Sequence, residues 1–255
     1  MTDHIGIETS GGILTLVLSR PDKKNALSDA MYKALADALE AADQDPAVRA
    51  VLIRAEGDMF TAGNDLADFA AANDGGSGPR NVSRFIKAIS VARKPIVAAV
   101  QGRAVGVGTT MLLHCDQVIL ADDALLTTPF VGLALVPEAS SSLLLPARIG
   151  HVRAFSMFAL GEAVTAQDAL AWGLTNKVVP RDRLVDEARG VAERLVKQPL
   201  GSLVATKALM RDAEAIARRM EAESAEFGDR LRRPEAREAF AAFAERRAPD
   251  FSQFN

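Results

Sequence analysis

Lys94-Pro95-Ile96-Val97-Ala98-Ala99-Val100-Gln101-Gly102-Arg103-Ala104-Val105-Gly106-Val107-Gly108 sets an unbroken apolar run between a proline and a glycine-bearing turn. A run this short with no polar face reads as a strand buried on both sides. Thr109 to Leu113 then reads as the start of a helix, and Gln117-Val118-Ile119-Leu120-Ala121 as the next strand. The pattern recurs upstream. Ile13 to Leu18 is apolar and β-branched and ends at Ser19-Arg20-Pro21-Asp22, because proline cannot donate to a ladder. From Ser28, an N-cap residue, Met31, Leu35, Leu39 and Ala42 share one helical face until Asp45-Pro46 breaks it. Ala50-Val51-Leu52-Ile53 is another buried strand. Strand, helix, strand is a crossover unit, so the chain reads as α/β. A strand feeding a glycine turn and a helix N-terminus also aims backbone N–H groups at one point, a ready anion or oxyanion site.

The rest of the chain bounds the chemistry. It has 255 residues, enough for a large core, and 30 Lys+Arg against 33 Asp+Glu leave a net charge of -3. That balance argues against nucleic acid as a partner. No apolar run reaches the ~18 residues of a membrane span, and Met1-Thr2-Asp3-His4 has no signal-peptide character, so a cytoplasmic location is expected. The single cysteine, Cys115, and three scattered histidines, His4, His114 and His151, argue against a metal site. His114 reads as a packed core histidine, His151 as a loop or helix-start residue and His4 as tail. Residues 69–83 are thin in apolar side chains and read as a flexible loop. After Pro180 the composition turns helical, with stretches from Asp182 to Lys197, Leu200 to Phe227 and Glu235 to Arg247. In the last, Ala236, Ala239, Phe240, Phe243 and Ala244 form one apolar stripe of the kind that buries against another subunit. The expected division is a core over 1–198 and a helical region for oligomerisation over 199–255.

Met59-Phe60-Thr61-Ala62-Gly63-Asn64-Asp65-Leu66-Ala67-Asp68-Phe69 and the 94–108 segment together closely resemble the crotonase family, the enoyl-CoA hydratase/isomerase superfamily. Arg20 to Leu27, Cys115-Asp116, Gly173 to Pro180 and Phe240 to Arg247 stand in the same order and spacing. The resemblance covers essentially the whole chain. It implies a crotonase-like spiral of ββα units, with C-terminal helices that mediate trimers, often paired into hexamers. It implies an acyl-CoA thioester substrate, with coenzyme A as part of the substrate and no separate cofactor. It also implies that the thioester oxygen is held by two backbone N–H groups, here those of Asn64 and Val107. Such donors stabilise a developing enolate by ~2.7–4 kcal/mol each. Val107 stands where the family usually has glycine. Taken without the resemblance, Gly106 and Gly108 could equally serve tight strand-to-helix packing.

In hydratases of this family two glutamates hold and activate water. The corresponding positions here carry Thr110 and Phe130, and neither can transfer a proton near neutrality. A different acid lies in Leu133-Ala134-Leu135-Val136-Pro137-Glu138-Ala139-Ser140-Ser141-Ser142-Leu143-Leu144-Leu145-Pro146, which resembles the peroxisomal-type Δ3,Δ2-enoyl-CoA isomerases. There a single glutamate shuttles the proton, and its apolar neighbours should raise the pKa of Glu138. From position alone, the favoured reading of Glu138 is an acid at a helix N-terminus, and its apolar setting and the resemblance turn the balance to catalysis. Asp65 reads as shaping its loop, Asp68 as a helix-face residue, and Ser140, Ser141 and Ser142 as pocket or helix-start residues without a nucleophile elbow. Further ligand contacts are expected from Lys23, Lys24 and Arg20 toward phosphate, from the backbone of Ala62, Gly63 and Asn64 around the adenine, and from Ala26, Asp65, Leu66, Gly106 and Thr110. Phe227 or Arg246 would reach the adenine. Phe69, Phe85, Phe130 and the Gly75-Gly76 loop would bound the acyl tail. An isomerase with Glu138 as base, a hydratase in which Glu138 activates water, and an acyl-CoA-binding protein without chemistry all remain open on these residues.

Overall fold

The computed structural model describes residues 2–65 and 81–254. Among them the strands are β1 (Ile5–Ser10), β2 (Ile13–Leu18), β3 (Ala50–Ala55), β4 (Ile96–Val100), β5 (Arg103–Val105), β6 (Gln117–Ala121), β7 (Leu125–Thr127), β8 (Val164–Thr165) and β9 (Lys177–Val179). The α-helices are α1 (Asp29–Gln44), α2 (Asn81–Val91), α3 (Val107–Thr110), α4 (Ser141–Ile149), α5 (His151–Phe155), α6 (Ala166–Trp172), α7 (Leu184–Val196), α8 (Leu200–Leu209), α9 (Ala213–Leu231) and α10 (Pro234–Glu245). One sheet runs in the order β1-β2-β3-β4-β6-β9 and a second in the order β5-β7-β8. Only the β1 edge of the large sheet is antiparallel; Ile13 pairs with Ala50, Val51 with Ile96, Val97 with Gln117 and Ile119 with Lys177 in parallel register.

The uniform apolarity of these strands has a two-sided cause. Leu14, Leu16, Val51, Ile53, Ile96, Ala98, Val118 and Leu120 enter the main core with α1 and α2, where Tyr32 and Phe85 meet at 5.5 Å between ring centres. Their alternates Ile13, Leu52, Val97, Ala99 and Ile119 face Leu184, Ala188, Val191 and Ala192 of α7. Each strand is therefore buried on both faces, as parallel crossover units require.

Gly102 moves the chain from the large sheet into the small one. Its φ is +55°, and a Cβ there would lie 2.2 Å from the Asp58 carbonyl oxygen, so only glycine fits.

The structure departs from expectation in three places. β1 is an edge strand whose sole buried residue is Ile5, so its sequence carries no apolar pattern and His4 alone had seemed tail. The stretch from Leu200 to Phe227 is two helices, parted at Met210-Arg211-Asp212, where the Asp212 carboxylate accepts from the Ala215 N–H at 2.9 Å. In α10, Ala236 and Ala239 of the apolar stripe are buried within the same chain and Ala244 is exposed. Among the described residues no helix is long and apolar enough to cross a membrane, and no group of three His, Cys, Asp or Glu is placed to hold a metal ion.

Candidate active site

Two segments from distant parts of the sequence are laced side by side. Thr61 donates its N–H to the Arg103 carbonyl at 3.1 Å and accepts from the Val105 N–H at 3.1 Å. The Thr61 hydroxyl donates to the Asn25 carbonyl at 2.6 Å and accepts from the Gly63 N–H at 3.0 Å. Leu27 then bridges both sides of Asn64: its N–H donates to the Gly63 carbonyl at 2.8 Å and its carbonyl accepts from the Asp65 N–H at 3.0 Å. The Asn64 N–H, between these bonds, points away from the ladder, and among the described residues it meets no acceptor.

The partner segment leaves a second N–H open. Gly106, with φ +56°, donates to the Thr127 carbonyl at 2.9 Å and caps α3, while its own carbonyl accepts from Thr109 and Thr110. Val107 is the first residue of that helix, so its N–H has no intrahelical acceptor and finds none among the described residues. Because Val107 adopts ordinary helical backbone, a side chain is admissible where the family usually has glycine; it is buried in the core. Gly63 and Gly108 have no such freedom. A Cβ on Gly63 would meet the Val105 carbonyl oxygen at 2.9 Å, and one on Gly108 the Thr61 Cγ2 at 2.4 Å.

These N–H groups border one cavity of about 290 Å3. Its walls are Ala62, Gly63, Asn64, Val105, Gly106 and Val107 on one side and Pro129, Phe130, Gly132, Leu133 and Leu135 on another. Phe227 of α9 and Phe240 and Phe243 of α10 close it. The apolar stripe of α10 is thus partly spent on the cavity. Asn64 is held by its side chain as well, since the Tyr32 hydroxyl donates to Asn64 Oδ1. Tyr32→Phe should cost about 1 kcal/mol, the usual worth of a neutral hydrogen bond, read as a lower denaturant midpoint at unchanged m-value.

Glu138 follows the Leu135 wall by three residues and is not itself among the residues that line the cavity. It is 8% exposed, and its Oε1 has no hydrogen-bond partner among the described residues. Burial, and then the negative charge of Glu223, push its carboxyl up to about 8. It is not in the first turn of a helix: Ala139 and Ser140 both have positive φ, at +60° and +54°, and α4 begins only at Ser141. The acid at that helix N-terminus is Glu223 of α9, whose carboxylate accepts from the Ser140 and Ser142 N–H groups at 2.6 and 2.9 Å.

Other expected positions fall differently. Thr110 is wholly buried and outside the cavity wall. Phe85 packs on Tyr32 in the core and does not line the cavity. Phe130 does, and its ring lies 6.1 Å from that of Phe158. Lys24 is drawn to Asp58 at 2.7 Å and Arg20 to Asp65 at 2.6 Å, so Asp65 shapes its loop; Lys23 is exposed without an ion-pair partner among the described residues, and Ala26 is half-buried beside it. Arg246 caps α10 away from the cavity wall. Leu66, Asp68, Phe69 and Gly75-Gly76 lie outside the described residues. His114 is a core residue, with Nε2 2.8 Å from the Ala139 carbonyl oxygen. Sequence reading missed Glu223, Tyr32 and the cavity role of Phe240 and Phe243. A signal for Glu223 exists: Ile216, Met220, Glu223 and Phe227 fall on one face of α9, an apolar stripe interrupted by a carboxylate.

Known proteins resemble this chain over most of its length. The family model described as enoyl-CoA hydratase/isomerase matches residues 8–254. The chain is 32% identical to the 1,2-epoxyphenylacetyl-CoA isomerase of Escherichia coli over 99% of both chains. It is 35% identical to the rat enoyl-CoA delta isomerase 2 over 82% of this chain and 54% of that one. A crystal structure of an enoyl-CoA hydratase/isomerase from Pseudoalteromonas atlantica superposes with a TM-score of 0.93 at 42% identity, covering 98% of this chain and 100% of the other. Matched along nearly its whole length by the family model and by that structure, this chain belongs to the enoyl-CoA hydratase/isomerase family, the crotonase superfamily, and has its fold.

Proposed function

We propose that the protein is a Δ3,Δ2-enoyl-CoA isomerase in which Glu138 is the single acid-base group and the Asn64 and Val107 N–H groups hold the thioester oxygen. The observation that carries this reading is the pairing of one buried, unpartnered carboxyl, Glu138, with Thr110 and Phe130 at the positions of the hydratase glutamates. The named isomerases among its relatives support it.

The steps follow from those groups. Glu138 as carboxylate takes a proton from C2 of a 3-enoyl thioester, and the C2–H electron pair moves into an enolate. Its oxygen charge falls on the two N–H groups, which are already aimed and need no reorganisation. Glu138 then returns the same proton to C4 as the double bond settles between C2 and C3. One carboxyl suffices because the reaction is a 1,3-shift with no net addition. Coenzyme A is part of the substrate, with Lys23, Lys24 and Arg20 on the phosphate side, and no separate cofactor is required. The 199–255 helices would join copies into a trimer or hexamer, consistent with exposed Leu209 and Met210 in that region; light scattering on the purified chain reads the mass directly.

The test offers the protein 3-enoyl-CoA and 2-enoyl-CoA separately, the first in deuterated water. Conversion of 3-enoyl to 2-enoyl thioester with C2 protium retained in part at C4 supports a single shuttling carboxyl. Faster water addition to 2-enoyl-CoA than isomerisation would make the protein a hydratase, and binding of both without turnover would make it an acyl-CoA-binding protein. The pH dependence is also set. The base form is the carboxylate, so kcat/KM should climb about tenfold per pH unit below about 8 and level above it.

A further inference from the structure

Along its nineteen residues α9 fully buries two, Ile216 and Glu223. Burying a carboxylate is costly unless donors meet it. Here three do. Glu223 Oε2 accepts from the Ser140 N–H at 2.6 Å, and Oε1 accepts from the Ser142 N–H at 2.9 Å and the Ser142 hydroxyl at 2.5 Å. The Ser140 hydroxyl adds a fourth tie, donating to the Ile216 carbonyl at 2.6 Å. Two of these bonds join α9 to Ser140 in the turn that directly follows Glu138, and two join it to Ser142 in the first turn of α4 just beyond. The turn after Glu138 holds Ala139 and Ser140 in succession at positive φ, a backbone state costing ~1–3 kcal/mol per non-glycine residue. Such a turn persists only where its surroundings hold it. We propose that Glu223 is a positioning residue for the reaction: it holds the Ala139-Ser140 turn that presents Glu138, and its negative charge stands behind Glu138 as a fixed part of the site. This rests on Glu138 being the base.

The two carboxyls divide their labour by their donors. Burial raises the Glu223 carboxyl above its ordinary range, and its two N–H groups and a hydroxyl pull it back; Glu138, whose Oε1 meets no donor among the described residues, is pushed up to about 8, first by burial and then by the Glu223 charge. The other charged and titratable groups nearby do not offset it. His114, on the segment after α3, touches the Ala139 carbonyl oxygen through Nε2 and receives Arg211 on Nδ1 at 2.9 Å. Its pKa is pushed down to about 3, chiefly by burial, so it stays neutral. Arg219, one turn before Glu223 on α9, donates to the Ser142 hydroxyl at 3.4 Å, and its charge favours the ionised form of Glu223. Glu223 is therefore the charge that Glu138 feels. The arrangement also makes the C-terminal helices part of the catalytic apparatus.

The test compares pH profiles of kcat and KM with a 3-enoyl thioester for wild type, Glu223→Gln and Ser142→Ala. Removing the charge in Glu223→Gln should move the acidic limb down by about one pH unit. It should also lower the plateau kcat about tenfold, with KM within about twofold. Ser142→Ala keeps the charge and loosens the turn, so its plateau should fall while the limb stays near that of wild type. An acidic limb unmoved in Glu223→Gln overturns the proposal, as does a plateau equal to that of wild type. If Glu223→Gln does not fold, Glu223→Asp retains the charge on a shorter arm. A lowered plateau with an unmoved limb then supports the proposal, and wild-type kinetics overturns it. Glu138→Gln separates the two claims: full isomerisation in that variant removes Glu138 as base, whereas loss of isomerisation beside an unmoved Glu223→Gln limb removes only the role of Glu223.

Discussion

Glu138→Gln is expected to lower kcat for isomerisation by about 10²–10⁴-fold while leaving thioester affinity nearly unchanged, because the amide fills the same space and cannot take a proton. Binding is read by equilibrium titration with a saturated acyl-CoA, and wild-type turnover in the variant would sink the assignment. The same substitution should stabilise the protein at alkaline pH. In the unfolded chain the carboxyl ionises near its ordinary 4.5, and in the folded chain near 8. Between those values the folded state binds more protons than the unfolded one, so stability falls as pH rises and levels off above about 8. Glutamine carries no such dependence. At pH 9 the variant should exceed wild type by an amount on the order of a few kcal/mol, at ~1.4 kcal/mol per unit. Below pH 4 the two should converge. A melting series across pH 4 to 9 that shows parallel curves would contradict the burial of an ionisable Glu138.

Gly63→Ala is the second large effect. Gly63 has φ +90°, and an added Cβ would stand 2.9 Å from the Val105 carbonyl oxygen, a backbone atom pinned by the Val105 N–H bond to Thr61. The methyl must displace one strand of the laced pair, and Val105 is followed directly by Gly106 and Val107. One substitution therefore disturbs both halves of the proposed oxyanion site. A loss of ~10²–10³ in kcat is expected, the usual cost of one misplaced donor, together with ~1–3 kcal/mol of stability from the positive φ. Gly190→Ala is the control. It lies in α7 with open space around its Cβ and should gain ~0.5–1 kcal/mol from helix propensity without changing kcat. Equal kinetic losses in both would show that the Gly63 effect is not one of geometry.

Much of this fold was readable in the chain because burial imprints periodicity. β2, β4 and β6 lie where their apolar runs stand, and α1 starts at the Ser28 cap, whose side chain accepts from the Met31 N–H. β1 was invisible for the converse reason: an edge strand with one buried residue has no pattern to show. The break at Met210-Arg211-Asp212 was hidden because a capping aspartate inside a helix-favouring stretch looks like one more surface acid. The site divided along the same line. Gly63, Gly106 and Gly108 are legible because steric exclusion demands glycine at Gly63 and Gly108, and Gly106 caps α3 at positive φ. Which N–H groups remain open is a matter of which neighbours are already bonded, and that depends on Leu27, Thr61 and Thr127 arriving from elsewhere.

By itself, then, the sequence determined the α/β core, the glycine-bordered segments that meet along one cavity, and the presence of Thr110 and Phe130 rather than carboxylates at two positions. Each of these is written in local composition and spacing. Only the tertiary structure decided that Glu138 Oε1 meets no donor among the described residues, that Glu223 takes the helix N-terminus which Glu138 is placed by sequence to serve, and that Phe240 and Phe243 line the cavity. The physical reason is the same in all three. A carboxyl's pKa and a ring's contacts are set by the dielectric and donors around them, and those are supplied by α9 and α10, some eighty to one hundred residues away along the chain.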